Sequence, residues 1–300
     1  MVVTSCSSVQ VRFHTPPDDL RPYFTTFYCA DLDPGDDETL VDSLHPEWAG
    51  LRFFSSALGR SWFEGGKSLD NARFVATGPS SHPLHFVLPR TRLWGIGLLP
   101  LGWAKFIGQP ASDCANLVCD GNSHPALSHL VPLAGLLHGG KLTEMEEVEA
   151  IAAFFRRLDR PELPDHQRIT DIHAAIVDPT ASSVHDLVDL TGLGQRTIER
   201  LCLRHFGFSP KVLLRRQRFM RSLAQFMLDP SLKWIGALDS HYHDQAQFVR
   251  EFHAFMGVTP GEYAAQPHPV LSRFVQERAR SQGAAVQTLD RPAGASKGQP

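Results

Sequence analysis

The chain has 300 residues, of which 42% are hydrophobic and 20% charged, and its net charge is −3. This length predicts more than one domain, and the composition is typical of a soluble globular protein. No apolar run reaches the 18 or so residues that a bilayer-spanning helix needs. The N-terminus lacks the basic and apolar stretches of a signal peptide, and the five cysteines show no metal-type spacing. We therefore expect a protein of the reducing cytoplasm with no membrane segment.

Short strand-like segments separated by Gly and Pro run from Tyr23 to Gly108, after a predicted irregular lead over residues 1–22. Such spacing is typical of a β-sandwich or a β-barrel. A barrel interior could receive a small molecule, although nothing in the sequence identifies one. The large side chains that could line it are Trp62, Phe63, Phe74, Phe86, Trp94 and Trp103.

After Pro110 the pattern becomes helical and ends in a predicted helix over 143–158. Thr143 and Glu146 form a capping box at its start. Two interpretations of its apolar stripe remain open, namely packing on the chain's own barrel or a dimer seam. The stripe consists of Met145, Val148, Ile151, Ala152, Phe155 and Leu158. A charged segment with two prolines, residues 159–168, then predicts a linker between two domains.

The stretch from Ser183 to Pro210 has the pattern of a helix-turn-helix unit. Its first helix carries apolar residues at helical spacing, namely Val184, Leu187 and Leu190. Gly192 then permits a turn with positive φ, and a second helix starts near Gln195. Ser209 and Pro210 begin a further helix as its N-cap and first helical residue.

The same pattern returns 50 residues later, where Thr259-Pro260 corresponds to Ser209-Pro210. The turn of this copy is one residue longer, and we expect His241 to be strained in a left-handed conformation there. Between the copies, residues 209–228 predict one helix of roughly 30 Å. That length is close to the roughly 34 Å between successive major-groove faces on one side of DNA. Two recognition helices could therefore enter adjacent turns of the groove.

Charge is unevenly distributed along the chain. Residues 1–180 carry a net charge of −8 and residues 181–268 carry +2, and eight basic residues accompany one acid between 195 and 221. Affinity for DNA phosphates depends on such a local concentration of cations rather than on net charge. On the long helix we expect an outward row that makes phosphate or structural contacts: Arg215, Arg216, Arg218 and Arg221.

Residues 169–268 resemble the DNA-binding domain of AraC-type (AraC/XylS) transcription regulators. The motifs that carry the resemblance are GLGQRTIER, FGFSPK, RRQRF and YHDQAQFVREFHAFMGVTPGEY. Regulators of this family carry two helix-turn-helix units joined by a long helix, downstream of a cupin-like β-barrel that senses an effector and dimerises. Residues 1–158 are weakly similar to that barrel. The chain departs from the family pattern at Val188, Gly194, Gly236 and His241, which predicts a softer second unit.

The resemblance implies an α+β fold, with a β-rich barrel-like domain and helical dimerisation elements before an all-α double helix-turn-helix domain. It also implies a homodimeric, sequence-specific regulator of promoter or operator DNA, an activator that could contact RNA polymerase, with an unknown small-molecule effector. No cofactor, metal or enzymatic activity is expected. The residues expected to contact DNA are Arg196, Thr197, Glu199, Arg200, Arg204, Gln245, Ala246, Gln247 and Arg250.

The competing interpretation is a cupin-like small-molecule-binding or metal-dependent enzyme with a helical appendage. Its candidate ligands are His82 and His85, with His124, His129 and His138 downstream. Because residues three apart on a strand point to opposite faces, the closest pair is a poor metal site. The chain also lacks a nucleophile elbow, a P-loop and a dinucleotide fingerprint. Residues 269–300 are expected to be largely disordered.

Overall fold

The computed structural model describes residues 8–35, 37–56, 59–158 and 160–293. Over these residues the N-terminal half contains two antiparallel sheets. The strands are β1 (Ser8–His14), β2 (Phe24–Asp33), β3 (Leu40–Leu44), β4 (Gly50–Phe54), β5 (Arg60–Phe63), β6 (Leu69–Asp70), β7 (Phe74–Thr77), β8 (Leu84–Leu88), β9 (Thr91–Leu98) and β10 (Val118–Asp120). A six-stranded sheet has the order β1-β2-β9-β4-β7-β10, and a four-stranded sheet has the order β3-β8-β5-β6.

The six-stranded sheet is buried on both of its faces, which explains why its strands are so apolar. On β2, Phe27 and Cys29 belong to a cluster with the helices, whereas Tyr28 and Ala30 belong to a cluster with the second sheet. This alternation follows from the two-residue period of a strand. The lead over 1–22 was expected to be irregular, but β1 pairs along its length with β2, so that expectation is wrong for Ser8–His14.

The helices occupy the second part of the chain. They are α1 (Pro100–Gly102), α2 (Val131–Ala134), α3 (Glu144–Arg157), α4 (His166–Val177), α5 (Val184–Thr191), α6 (Gln195–Leu201), α7 (Pro210–Leu228), α8 (Lys233–Gly236), α9 (Gln245–Met256), α10 (Pro260–Ala265) and α11 (Leu271–Gln282). The chain after β9 was expected to remain strand-like to Gly108, but it continues as α1 and a π-helical stretch, Trp103–Ile107. Within the described ranges, no helix is both long and apolar enough to cross a bilayer.

Helix α3 packs on the six-stranded sheet of its own domain. Its capping box between Thr143 and Glu146 is present as predicted. Ile151 is 0% exposed and Phe155 2%, and both lie in a cluster with Phe24 and Phe106. The stripe is therefore used within the chain and is not available as a dimer seam. Met145 at its start is the exception, with 58% of its surface exposed.

The two halves of the chain share a hydrophobic core. Trp48, Leu99 and Leu101 of the N-terminal half lie in one buried cluster with Ile172 and Phe206 of the C-terminal half. The indole of Trp48 makes edge contacts with His173 and Phe206, at ring-centroid distances of 5.1 and 5.8 Å. This arrangement fixes the C-terminal helices on the barrel.

The segment after Pro267 is folded where the sequence predicted disorder. Helix α11 covers Leu271–Gln282, and Val270 is 2% exposed in the cluster between the two sheets. Arg278 is buried and pairs with Asp290. The expectation of a disordered tail is wrong for residues 271–290, because α11 finds an apolar surface on the barrel. The last part of that expectation, residues 294–300, lies outside the described residues.

Candidate DNA-binding surface

The first helix-turn-helix unit consists of α5 and α6. Ser183 and Asp186 form a capping box at the start of α5, and Gly192 ends it with φ 65°. Gly194 caps α6 without a side-chain hydrogen bond, as its lack of a side chain requires. Helix α6 continues as a π-helical stretch, Cys202–Phe206, which ends at Gly207 with φ 83°. A recognition helix of this kind presents its outer face to a groove of DNA.

The second unit repeats these features at the predicted offset. Asp244 caps α9 by accepting a hydrogen bond from the Gln247 amide, and Gly257 ends α9 with φ 73°. Thr259 and Glu262 then form a capping box at the start of α10.

The turn of the second unit differs from the prediction in one respect. His241 does not adopt a positive φ; apart from Gly257, the residue of this unit that does so is Lys233 (φ 50°). The side chain of Asp239 closes the turn by accepting from the His241 amide at 3.0 Å, so no left-handed residue is needed there.

The long connection, α7, has the predicted extent, but its arginines are not an outward cationic row. The carboxylate of Glu251, which is 5% exposed, pairs with Arg215 and Arg218, and Asp239 pairs with Arg221. The hydroxyl of Tyr242 also donates to Glu251, at 2.9 Å. These pairs join α7 to the second unit, so three of the four arginines make structural contacts.

Arg216 is the fourth and is 0% exposed, contrary to its predicted outward position. Its guanidinium lies over the Trp48 ring, with 4.3 Å between the guanidinium carbon and the ring centroid, and donates to the carbonyl oxygen of Ser80 at 2.8 Å. Burial lowers the pKa of Arg216 to about 9. The physical reason for the error is that helical spacing predicts which face of α7 is buried. It does not predict that the barrel accepts the polar side chain of Arg216 on that face.

Of the nine predicted DNA-contacting residues, eight lie on α6 and α9, and Arg204 lies in the π-helical stretch that continues α6. Exposed members are Arg196, Arg200, Arg204, Gln245, Ala246 and Arg250, whereas Thr197, Glu199 and Gln247 are half-buried. Glu199 accepts from the Gln195 amide side chain at 2.9 Å, and the side-chain oxygen of Gln247 accepts from the His243 amide at 3.1 Å. The side chain of Gln247 is thus already hydrogen-bonded at the start of its own helix.

Sequence reasoning missed a groove between the two units. It lies along α7, has a volume of about 420 Å³, and is lined by residues that include Ser182, Ser183, Lys211, Arg215, His241 and Gln247. Lys211 is exposed at the beginning of α7. The sequence already placed Lys211 directly after Pro210, the first residue of α7. The groove itself depends on how the two units pack, which the sequence does not show.

The histidines of the competing metal hypothesis make separate structural contacts. His82 donates from Nδ1 to the carbonyl oxygen of Phe255 at 3.2 Å, and His129 and His138 donate from Nε2 to the carbonyl oxygens of Phe106 and Phe53. Among the described residues, no three His, Cys, Asp or Glu side chains group closely enough to hold a metal ion.

Residues 187–266, which begin within α5 and extend through the second unit, match the family described as a helix-turn-helix domain. This segment is an AraC-type helix-turn-helix domain. The AraC-type domain accounts for less than a third of the chain. The match supports a DNA-binding transcription regulator.

The chain is also distantly similar to solved structures. ToxT from Vibrio cholerae is 10% identical with a TM-score of 0.43, and covers 86% of this chain and 98% of its own. ToxT of strain SCE256 with a bound unsaturated fatty acid is 11% identical with a TM-score of 0.41, and covers 88% and 97%. The AraC-like transcriptional activator CuxR is 15% identical with a TM-score of 0.27, and covers 72% and 87%. No curated protein matches the chain.

Proposed function

We propose that this regulator reads a specific DNA sequence by placing α6 and α9 in adjacent turns of one major groove. The observation that carries the proposal is the repetition of exposed side chains, since Arg200 and Arg250 occupy equivalent positions 50 residues apart. Each of them precedes a left-handed glycine by seven residues, namely Gly207 and Gly257. Arg196 and Arg200 lie in the first half of the continuous helix formed by α6 and its π-helical extension to Phe206, and this half would enter a groove first.

Phosphate contacts are assigned to Arg204 and Lys211, the exposed cations of this segment other than the proposed base-reading Arg196 and Arg200. Of the eight basic residues between 195 and 221, three are ion-paired and Arg216 is buried, which leaves Arg196, Arg200, Arg204 and Lys211 exposed. Lys211 lines the groove between the two units, where the DNA backbone would pass from one recognition helix to the next. The binding surface is therefore smaller and more local than the net charge of the segment indicates.

The variant Arg200→Ala tests the assignment of base contacts. We expect it to lower affinity for the preferred site by about 1–3 kcal/mol, roughly 5- to 150-fold, because arginine commonly pairs with guanine through two hydrogen bonds. Preference should relax at one or two base pairs only. The measurement is equilibrium binding to a site selected from random DNA and to its single-base variants. Arg157→Ala, which removes an exposed arginine of α3, should change nothing. Equal weakening on every sequence would contradict a base contact for Arg200.

We also propose that a small-molecule effector binds in the N-terminal domain, between its two sheets. Of the six large residues expected to line this interior, only Phe86 borders the cavity there, together with Tyr28, Arg52 and Phe54. Phe74, Trp94 and Trp103 lie in the cluster with the helices instead. The lining is mostly apolar, as is usual for small-molecule sites.

We further propose that the chain forms a homodimer, since two tethered copies gain affinity for repeated half-sites. As an activator, the dimer would contact RNA polymerase. With the α3 stripe buried, the exposed apolar residues beside it are the candidate surface, namely Leu136, Leu142 and Met145, which are 37%, 43% and 58% exposed. We expect Met145→Glu to shift sedimentation of the folded protein towards monomer. Leu190→Glu, at an equally exposed site on α5, should not. A native chain that sediments as a monomer at micromolar concentration would contradict the dimer.

A further inference from the structure

The C-terminal segment, residues 270–290, enters the space between the two sheets of the N-terminal domain. Val270 is 2% exposed and belongs to the same cluster as Tyr28 and Phe86. The Phe274 ring meets the rings of Tyr28 and Phe13 edge-on, at centroid distances of 5.2 and 5.9 Å. Tyr28 itself lies over Gly95, where any Cβ would come within 1.9 Å of its ring. The segment thus continues the apolar packing of the barrel interior.

A polar anchor on the barrel holds the start of the segment. Asp42 of β3 is 8% exposed, and its Oδ2 accepts from the amides of Val270 and Leu271 at 2.8 and 2.9 Å. Val270 stands at the N-cap of α11 and offers no side-chain hydrogen bond of its own. Asp42 therefore satisfies amides that the first turn of a helix leaves without an internal partner.

With the segment in place, little free space remains. The cavity between the sheets that Val270 and Phe274 border has a volume of about 30 Å³. A second cavity of about 80 Å³ lies between the barrel and Leu271, Phe274 and Val275. Pockets for small-molecule ligands are usually about 300–1,000 Å³. An effector can enter only if the segment leaves.

We propose that the C-terminal segment is a built-in occupant of the effector site, which a ligand displaces. This inference rests on the proposed effector function of the N-terminal domain. The ligand it selects is apolar and uncharged, because the one cation of the lining, Arg52, is already neutralised by Glu47 at 2.7 Å. The hydroxyl of Tyr28 accepts from Arg52 and keeps its own proton to donate to one acceptor on the ligand.

Displacement of the segment would also loosen the two halves of the chain from each other. Gln287 accepts from the Trp48 amide at 2.7 Å and donates to the carbonyl oxygen of Ala49 at 3.1 Å. Gln217 of α7 donates to the carbonyl oxygen of Thr288 at 2.6 Å. The segment thus bridges the barrel and the long helix of the DNA-binding domain, and its departure removes these hydrogen bonds together.

The test is hydrogen exchange on the full native chain, with and without saturating N-phenyl-1-naphthylamine, a neutral apolar fluorescent probe. The probe and the C-terminal segment compete for the same space, so the protection factors of the α11 amides should fall at least tenfold when the probe is bound. The amides of α3, on the other face of the sheet, should not change. Bound probe with unchanged protection of α11 would overturn the proposal. No DNA is involved, so the result is independent of the test of base contacts.

A matched pair of variants gives the reciprocal measurement. Phe274→Glu places a charge against the barrel interior, whereas Gln276→Glu places the same charge on the exposed face of α11. We expect Phe274→Glu to bind the probe at least tenfold more tightly than the native chain and Gln276→Glu to bind it as the native chain does. Equal affinities of all three would overturn the proposal. If Phe274→Glu fails to fold, the exchange result on the native chain decides.

Discussion

Trp48→Ala is expected to destabilise the whole chain by about 3–5 kcal/mol, the usual cost of truncating a buried tryptophan. Trp48 is 1% exposed and fills the junction of the two halves, where it supports Arg216 and packs on His173 and Phe206. Its loss leaves a cavity and also deprives the buried guanidinium of its aromatic partner. The effect is large because one side chain belongs to the cores of both halves.

Denaturant unfolding, monitored separately in the barrel and in the helical half, measures this effect. The native chain should unfold in one transition, and Trp48→Ala should unfold in two, because the halves become uncoupled. Trp62→Ala is the control, since Trp62 is half-buried in the four-stranded sheet, where it stacks on His85. If Trp48→Ala were no less stable than Trp62→Ala, the shared core would not couple the halves.

Acid should destabilise the folded chain well above the pH at which carboxylates are protonated. Burial lowers the pKa of His45 and of His173 to about 3, and that of His205 to about 4. In the unfolded chain these groups titrate near 6.5, so below that pH the unfolded state binds more protons and stability falls. Between about pH 6 and 5 the loss should be several kcal/mol per pH unit, on the order of 1 kcal/mol for each of these histidines. Burial also lowers the pKa of His85, His129 and His138, which adds to the loss.

Protonation of His268 has the opposite effect on stability. Although its burial opposes the charge, hydrogen bonding to Asp42 raises the pKa of His268, so His268 contributes stability below its unfolded pKa. This contribution is complete below the unfolded pKa and is lost as the pH rises above it, so it leaves the slope at lower pH intact. Unfolding midpoints at pH 7.5, 6 and 5 measure the effect. His45→Gln should make the loss of stability with falling pH less steep, because it removes one of the groups that the unfolded chain protonates first. A stability that is flat from pH 7.5 to 5 would contradict the prediction.

The double helix-turn-helix domain could be predicted from the sequence because its signals are local. In each unit a glycine ends one helix and an N-cap residue begins the next, two residues later. These residues are Gly207 and Ser209 in the first unit, and Gly257 and Thr259 in the second. Such signals require no knowledge of distant partners. The repeat of these four positions was therefore sufficient to locate α6 and α9.

The junction could not be predicted, because it depends on contacts between residues far apart in the chain. Helical spacing predicts which face of α7 is buried, but only the packing of α7 on the barrel shows that Arg216 lies under Trp48. For the same reason a fragment from residue 165 onward would lose the part of its core that Trp48, Leu99 and Leu101 supply.

The C-terminal segment did carry a signal in the sequence. Its apolar residues and Arg278 recur at helical spacing on one face, namely Val270, Leu271, Phe274, Val275 and Arg278. The high content of charged residues in α11 hid this stripe. The lead over 1–22 was misjudged in a similar way, since Val9, Val11 and Phe13 alternate as in a strand, and three nearby prolines drew attention from that pattern.

Selection of bound sequences from a random DNA pool by the full native chain tests the central claim most directly. The account predicts enrichment of one site with two groups of conserved base pairs about one helical turn, roughly 10 base pairs, apart, because α6 and α9 enter successive turns of the groove. At moderate salt that site should be bound at least about 1,000-fold more tightly than scrambled DNA. A pool that shows no enrichment, or equal affinity for scrambled DNA, would contradict sequence-specific recognition by the two units.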